Sequence, residues 1–230
     1  MSLALINDFP EGAWEKRIPS GCLIDRDQEL LALCRGQRVL HLGAADSPFH
    51  KEKAERGALL HQKIDAVASE NTGIDLDESA VNWLRENHNI GNIVVADASG
   101  TSPDIGGKEF DVVLCCDIIE HVSNIGSLLE LCKASMSAST KLVITTINAT
   151  GLKPALRAMV GREAVHHEHT CYFSYGTLCQ LLMSHGLKPI MYGAFSYPTV
   201  NRLTSLPFDL IARRSPGTAD GLMVVATLDG

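Results

Sequence analysis

Asp117, Glu120 and His121 form a D-x-x-E-H array just past an apolar run that ends at Cys116. A second polar group, His166-His167-Glu168-His169, follows in the C-terminal half. Two carboxylates and an imidazole at that spacing suit two chemistries. They can take a proton from a hydroxyl or amine, or hold a hard cation that acidifies a bound hydroxyl. In the histidine run adjacent side chains diverge, and the spacing is not that of a zinc site. It reads as a surface loop with one or two histidines facing a substrate. The candidates for a base are Glu120, His121, His166, His167 and His169.

Such groups need a frame, and the apolar pattern supplies one. Arg38–Leu42 is a short strand that breaks at Gly43-Ala44-Ala45 into a turn, with Ser47 as expected N-cap and Pro48 at the first helical position. Residues 49–68 have the spacing of a long amphipathic helix with Gly57 as a point of interruption. Thr72–Asp75 closes a second strand, and Asp77 caps a helix carrying Val81, Trp83 and Leu84. Asn92–Ala96 is a third strand stopped at Asp97, Phe110–Cys116 a fourth, and Lys141–Ile147 a fifth. Strands alternating with helices in this way predict a parallel, doubly wound α/β sheet. Further on, 151–163 has room for a short helix, Ser174 caps a helix to His185, and Lys188–Phe195 and Leu222–Leu228 are strands. Residues 1–35 read as an N-terminal arm and helix, with the helix over Ser20–Cys34. Residues 36–230 form the main domain, with 196–220 as a lid or contact insertion and the expected surface for a homodimer.

In this reading Gly43, Asp75, Asp97 and Asp117 all fall at carboxyl ends of strands, the edge where open parallel sheets bind ligands. A carboxylate after the second strand suits a ribose diol, and one after the third suits an adenine amino group. As turn or cap residues these aspartates would need no ligand; it is their register with the glycine turn that favours binding. His61, His88 and His185 read as exposed helix residues and Trp83 as core.

The composition narrows the class. Twenty basic and 27 acidic residues leave a net charge of −7, which disfavours a polyanionic partner. No apolar run is long enough for a bilayer. Seven cysteines, an odd number without a CxxC pair, read as reduced thiols in a cytoplasmic protein.

Together, Val39-Leu40-His41-Leu42-Gly43-Ala44-Ala45, Gly73-Ile74-Asp75-Leu76-Asp77, Val95-Ala96-Asp97-Ala98 and Phe110-Asp111-Val112-Val113 running to Ile119-Glu120-His121-Val122 resemble the class I S-adenosylmethionine-dependent methyltransferases. Residues His169–Ser174 with Leu178 and Leu182 resemble the tail of the subgroup with Glu-His after strand four. The resemblance covers roughly 36–195. It implies a mostly parallel, seven-stranded Rossmann-like sheet whose last strand, 222–228 here, runs antiparallel. It implies S-adenosylmethionine as cofactor, bound by His41, Gly43, Ala44, Ala45, Asp75, Leu76, Asp97, Ala98, Cys116 and Asp117. His121, Glu120 and His169 are the implied catalytic residues. The acceptor would be an O or N atom of a small molecule, a sugar or cell-envelope precursor among the choices.

The subgroup also includes metal-dependent O-methyltransferases, which would use Asp117, Glu120, His121 and His169 here; the reading adopted assigns no metal, with Glu120 and His121 shaping the pocket. His41 stands where the family usually has an acid, and Ala45 and Ser47 where it has glycines. Those departures keep open a non-catalytic cofactor-binding protein. A NAD-dependent dehydrogenase is the other rival, but G-x-G-x-x-G is absent. DNA amine methylation is disfavoured, because Cys116-Asp117-Ile118-Ile119 replaces the expected D/N-P-P-Y/F.

Overall fold

The computed structural model describes residues 2–7, 9–10, 12–98, 100, 109–197 and 202–229, with the side chains of 202–205 left aside. Most of the expected loop from Ser99 to Gly107, and part of the 196–220 insertion, lie outside the described residues. In chain order the elements are β1 (Ala4–Leu5), α1 (Arg26–Cys34), β2 (Arg38–Leu42), α2 (His50–Glu55), α3 (Leu60–Asp65), β3 (Glu70–Asp75), α4 (Glu78–His88), β4 (Ile93–Val95), β5 (Val112–Cys116), α5 (Ile125–Ala134), β6 (Lys141–Ile147), α6 (Leu152–Met159), α7 (Tyr175–Ser184), β7 (Leu187–Phe195), α8 (Arg202–Arg214) and β8 (Gly221–Leu228). They build one eight-stranded sheet in the order β1-β7-β8-β6-β5-β2-β3-β4.

Strands β2 to β6 pair in parallel, and β8 inserts antiparallel between β6 and β7. This is the expected seven-stranded topology with β1 added antiparallel on the β7 edge. The central strands are apolar throughout because both faces are covered. Leu40, Leu42, Val113, Cys115, Leu142 and Ile144 face one cluster, into which α5 and α7 send Leu128, Leu131, Leu178 and Leu182. Val39, Val112, Leu114 and Val143 face the other, shared with Leu30 of α1 and Ile64 of α3. Each fully buried leucine contributes about 1.5–3 kcal/mol on transfer from water.

Three local expectations are corrected. The helix read over Ser20–Cys34 starts only at Arg26, because residues 22–24 run beside β7: Ile24 N–H donates to the Ala194 carbonyl (2.8 Å), and Ala194 N–H to that of Cys22 (2.8 Å). Asp25 then caps α1 by accepting from the Gln28 amide. The long helix over 49–68 is two short ones, parted at Gly57, whose φ is 61°. Ser47 does not cap α2; its hydroxyl donates to Asp77 Oδ2 at 2.6 Å, and Phe49 occupies the cap position. Of the two arm aromatics, Phe9 packs edge-on against Tyr175 (5.8 Å), whereas Trp14 is 100% exposed. No helix among the described residues is long and apolar enough to cross a membrane.

Candidate active site

A cleft of about 1310 Å³ opens along the carboxyl ends of β2, β3 and β5, with α1 as one wall and the 166–169 turn at another. Its floor is the turn after β2. Gly43 takes φ 70°, which glycine adopts at little cost. A Cβ there would lie 2.6 Å from Ile118 Cδ1, so the missing side chain lets the β5 exit pack onto the turn. The turn amides are already committed: Gly43 and Ala44 donate to the Ile74 carbonyl (2.8 and 3.1 Å) and Ala45 to Asp75 Oδ2 (2.8 Å). The turn is therefore a clasp between β2 and β3. What the turn offers a ligand is close approach of backbone and the Asp75 carboxylate.

Asp75 accepts a second backbone bond at Oδ1, from Asp77 N–H at 2.9 Å. A carboxylate has about four acceptor positions, so two stay open for ligand hydroxyls. Beside it, His41 and His61 are both buried. They stack with ring centroids 5.4 Å apart and Nδ1 atoms at 3.2 Å, and His61 also meets Asn92. Burial holds both imidazoles below the usual histidine range, His41 well below it. His61, expected on the surface, is thus a core residue that fixes the ring of His41.

Across the cleft Asp117 has left-handed backbone (φ 53°) and is gripped from three sides. Arg26 of α1 forms an ion pair with Oδ2, while Thr145 (3.0 Å) and Tyr197 (3.2 Å) donate hydroxyls to Oδ1. Burial opposes the Arg26 charge, but Asp117 and Asp27 outweigh it and the guanidinium stays ionised. Lys63 braces Asp27 at 2.7 Å.

At the far end His121 and His169 meet edge to face, centroids 4.5 Å apart, with His166 at 5.7 and 5.0 Å from them. Burial lowers the pKa of both His121 and His169. Glu120, expected among the catalytic groups, is 1% exposed and does not line the cleft. Its Oε2 accepts from the Thr146 hydroxyl at 2.9 Å, and burial next to Asp117 pushes its carboxyl up to about 7. Its backbone carbonyl accepts from Thr170 N–H at 2.8 Å, which ties the 166–169 turn to the end of β5. Glu120 thus lies behind the cleft wall, tied to it through its backbone.

Of the residues singled out in the sequence, His41, Gly43, Ala44, Asp75, Cys116, Asp117, His121 and His169 line this one cleft. Ala45, Leu76, Asp97 and Ala98 stand outside its lining. Ala45 is fully buried, with its amide on Asp75, and Leu76 is 70% exposed at the end of β3. Asp97 and Ala98 lie past β4, beside the loop outside the described residues. Arg26, His61 and Tyr197 carry no motif. Only Asp25-Arg26-Asp27 at a helix start hinted at Arg26, and nothing local ties it to Asp117.

The donors and acceptors suit a zwitterionic amino acid carrying a nucleoside. Arg26 matches a carboxylate, Asp117 an ammonium and Asp75 a diol. Residues 16–191 match the family described as methyltransferase domain. The ubiquinone biosynthesis O-methyltransferase of Mesorhizobium japonicum is 27% identical over 142 residues, 61% of this chain and 52% of that protein. The protein of the same name from Coxiella burnetii is 26% identical over 167 residues, 67% of this chain and 64% of its own length. The chain thus spans between about half and two thirds of these curated relatives. Among solved structures, a SAM-dependent methyltransferase from Archaeoglobus fulgidus superposes with a TM-score of 0.57 at 19% identity, covering 88% of this chain and 91% of its own. One from Mesorhizobium loti gives 0.56 at 19%, covering 88% and 95%. A sheet with one inserted antiparallel strand and a cleft along the carboxyl ends of its parallel strands thus carries a family match over three quarters of the sequence, and the chain belongs to the class I S-adenosylmethionine-dependent methyltransferases.

Proposed function

We propose that the protein transfers a methyl group from S-adenosylmethionine to a hydroxyl oxygen of a small molecule. The observation that carries this is the convergence of two carboxylates and a guanidinium on one cleft. Asp75, Arg26 and Asp117 match the three polar parts of the cofactor, and His121 and His169 lie further along the same wall. Oxygen is preferred over nitrogen as acceptor because the curated relatives are named O-methyltransferases.

The cofactor supplies a methyl already activated on a sulfonium. The chain's part is therefore alignment, exclusion of water and care of the acceptor's proton. Asp75 accepts from the ribose hydroxyls. Arg26 and Asp117, fixed by Thr145 and Tyr197, orient the amino-acid end. His121 and His169 are the polar groups available to the acceptor, able to take its proton or hold its oxygen. Glu120 positions the turn that carries His169 through its backbone carbonyl and does not touch the substrate.

The test pairs calorimetry with turnover. S-adenosylhomocysteine should bind one per chain, and methyl from labelled cofactor should appear on oxygen in a panel of phenolic and sugar alcohols. Binding without transfer to any acceptor would move the protein to the non-catalytic reading, and binding of NAD in its place would overturn both.

A further inference from the structure

The metal-dependent relatives of the subgroup imply a hard cation on two carboxylates and histidine. The residues present do not fit that ion. Glu120, one of the two carboxylates, is buried on Thr146 outside the cleft, and Asp117, already bonded to Arg26, Thr145 and Tyr197, keeps one acceptor position with a guanidinium beside it, too little for a hard cation that wants about six or more oxygens. What does converge is a set of nitrogen donors. One ring nitrogen from each of His121, His166 and His169 lies within 4.8 Å of the other two. We propose that these three imidazoles form a binding site for a single divalent transition-metal ion of the zinc class, with an open coordination position toward the cleft.

The ligand chemistry favours that class. Neutral imidazole is a borderline donor that suits zinc, cobalt or nickel, whereas magnesium and calcium take oxygens. Three protein ligands with one position left open is the pattern of a reactive zinc site. The three histidines come from two chain segments that are already joined. Thr170 N–H binds the Glu120 carbonyl, and His169 N–H closes a turn on the His166 carbonyl at 3.0 Å. On one ion the donor atoms would stand about 3.4 Å apart, the edge of a tetrahedron with bonds of ~2.1 Å, a spacing inside the 4.8 Å limit that the three rings already meet. His166 lies on an exposed turn where side-chain rotation achieves this.

Partners around the ligands are also in position. Tyr172 Oη lies 3.4 Å from His169 Nδ1, an outer contact that orients the ring and leaves Nε2 for an ion. Glu168 Oε2 is 3.5 Å from His121 Nδ1 and 3.9 Å from His166 Nδ1, which puts a carboxylate beside the positive charge. His121, His166 and His169 all line the cleft, so the open position faces it. His167, 82% exposed, does not. The binding site stands on the imidazoles alone. Its use, to hold the acceptor oxygen, rests on the methyl-transfer reading above.

The experiment uses the full chain without a histidine tag, stripped by chelator and titrated with zinc against a competing indicator, then with cobalt. One ion per chain is expected, with a visible cobalt absorption of tetrahedral intensity. Loss of an outer-shell contact alone costs 10–100-fold, so His166→Ala and His169→Ala should each weaken zinc by ~100-fold or more. His167→Ala is the control on the same turn and should bind as the parent does. Absence of stoichiometric binding, or equal affinity in His166→Ala, overturns the site. So does a magnesium site that is lost in Glu120→Gln but kept in His166→Ala. These readouts do not depend on turnover, so a failure of the methyl-transfer reading would leave them intact.

Discussion

Replacing Asp75 separates its two roles, clasp between strands and acceptor for a ligand. In Asp75→Ala the Ala45 amide, fully buried, loses its partner at 2.8 Å, and the half-buried Asp77 amide loses its own at 2.9 Å. An orphaned buried donor costs about 1–3 kcal/mol, while the Asp77 amide can turn to water. The expected loss is about 2 kcal/mol, or a fall of roughly 4–8 °C in Tm for a chain of this size. Asp75→Asn keeps one carbonyl oxygen for Ala45 and should lose only about 1 kcal/mol. Ligand binding should order the variants differently. A hydroxyl bonded to a carboxylate gains about 1.5–3 kcal/mol, so both variants should bind S-adenosylhomocysteine roughly 10- to 100-fold more weakly. Urea denaturation gives the first quantity and calorimetry the second. An Asp75→Asn protein that binds like the parent would refute the ligand role, and an Asp75→Ala protein of unchanged stability would refute the clasp.

Gly43→Ala should destabilise by about 2–3 kcal/mol, combining left-handed strain of about 1–2 kcal/mol with the contact to Ile118; adding Ile118→Val, which removes the Cδ1 atom, should recover part of it in denaturant midpoints. Arg26→Met leaves Asp117 without its cation. Removing one partner of a fully buried pair costs 3–5 kcal/mol, and with Arg26 about a quarter exposed the loss should be nearer 1–3 kcal/mol, with weaker cofactor binding that Arg26→Lys only partly restores. His41 and His61, facing each other with Arg26, Asp65 and Asp75 around them, have pKa values lowered by burial. The unfolded chain therefore binds more protons once pH falls below about 6.5. Stability should be flat above that value and drop below it by up to about 1.4 kcal/mol per pH unit for each imidazole, and His41→Asn should remove one proton's share of the slope in melts from pH 7.5 to 5.

What the sequence makes legible is what is local. The apolar run Arg38–Leu42 and the break at Gly43 define β2 and its turn, and Lys141–Ile147 is a strand over its full length. Asp77 caps α4 and Ser174 caps α7, because a cap is decided within four residues. The errors come from distant partners. Ser47 has the side chain and position of a cap, yet its hydroxyl finds Asp77 across the sheet edge. His61 sits in a helix of polar residues and reads as solvent-facing until His41 and Asn92 close over it. Glu120 belongs to a motif that suggests catalysis, but the tilt of the chain after β5 turns its carboxylate inward to Thr146. Arg26 and Asp117 are 91 positions apart, and no periodicity connects them. The three-histidine cluster fails the spacing test for a sequence motif because one of its members comes from the end of β5 and the other two from a turn.

Residues 4–5 and 22–24 have their backbone partners on β7, which ends at Phe195. During synthesis residues 4–24 must therefore wait for the much later-made β7 before they can settle. Contacts of such wide sequence separation form slowly and late. Arg26 follows that stretch directly, so the cation facing Asp117 takes its place only after the rest of the sheet is assembled. A nascent chain stopped short of β7 would carry the Gly43–Asp75 edge in place while the opposite wall of the cleft was still unset.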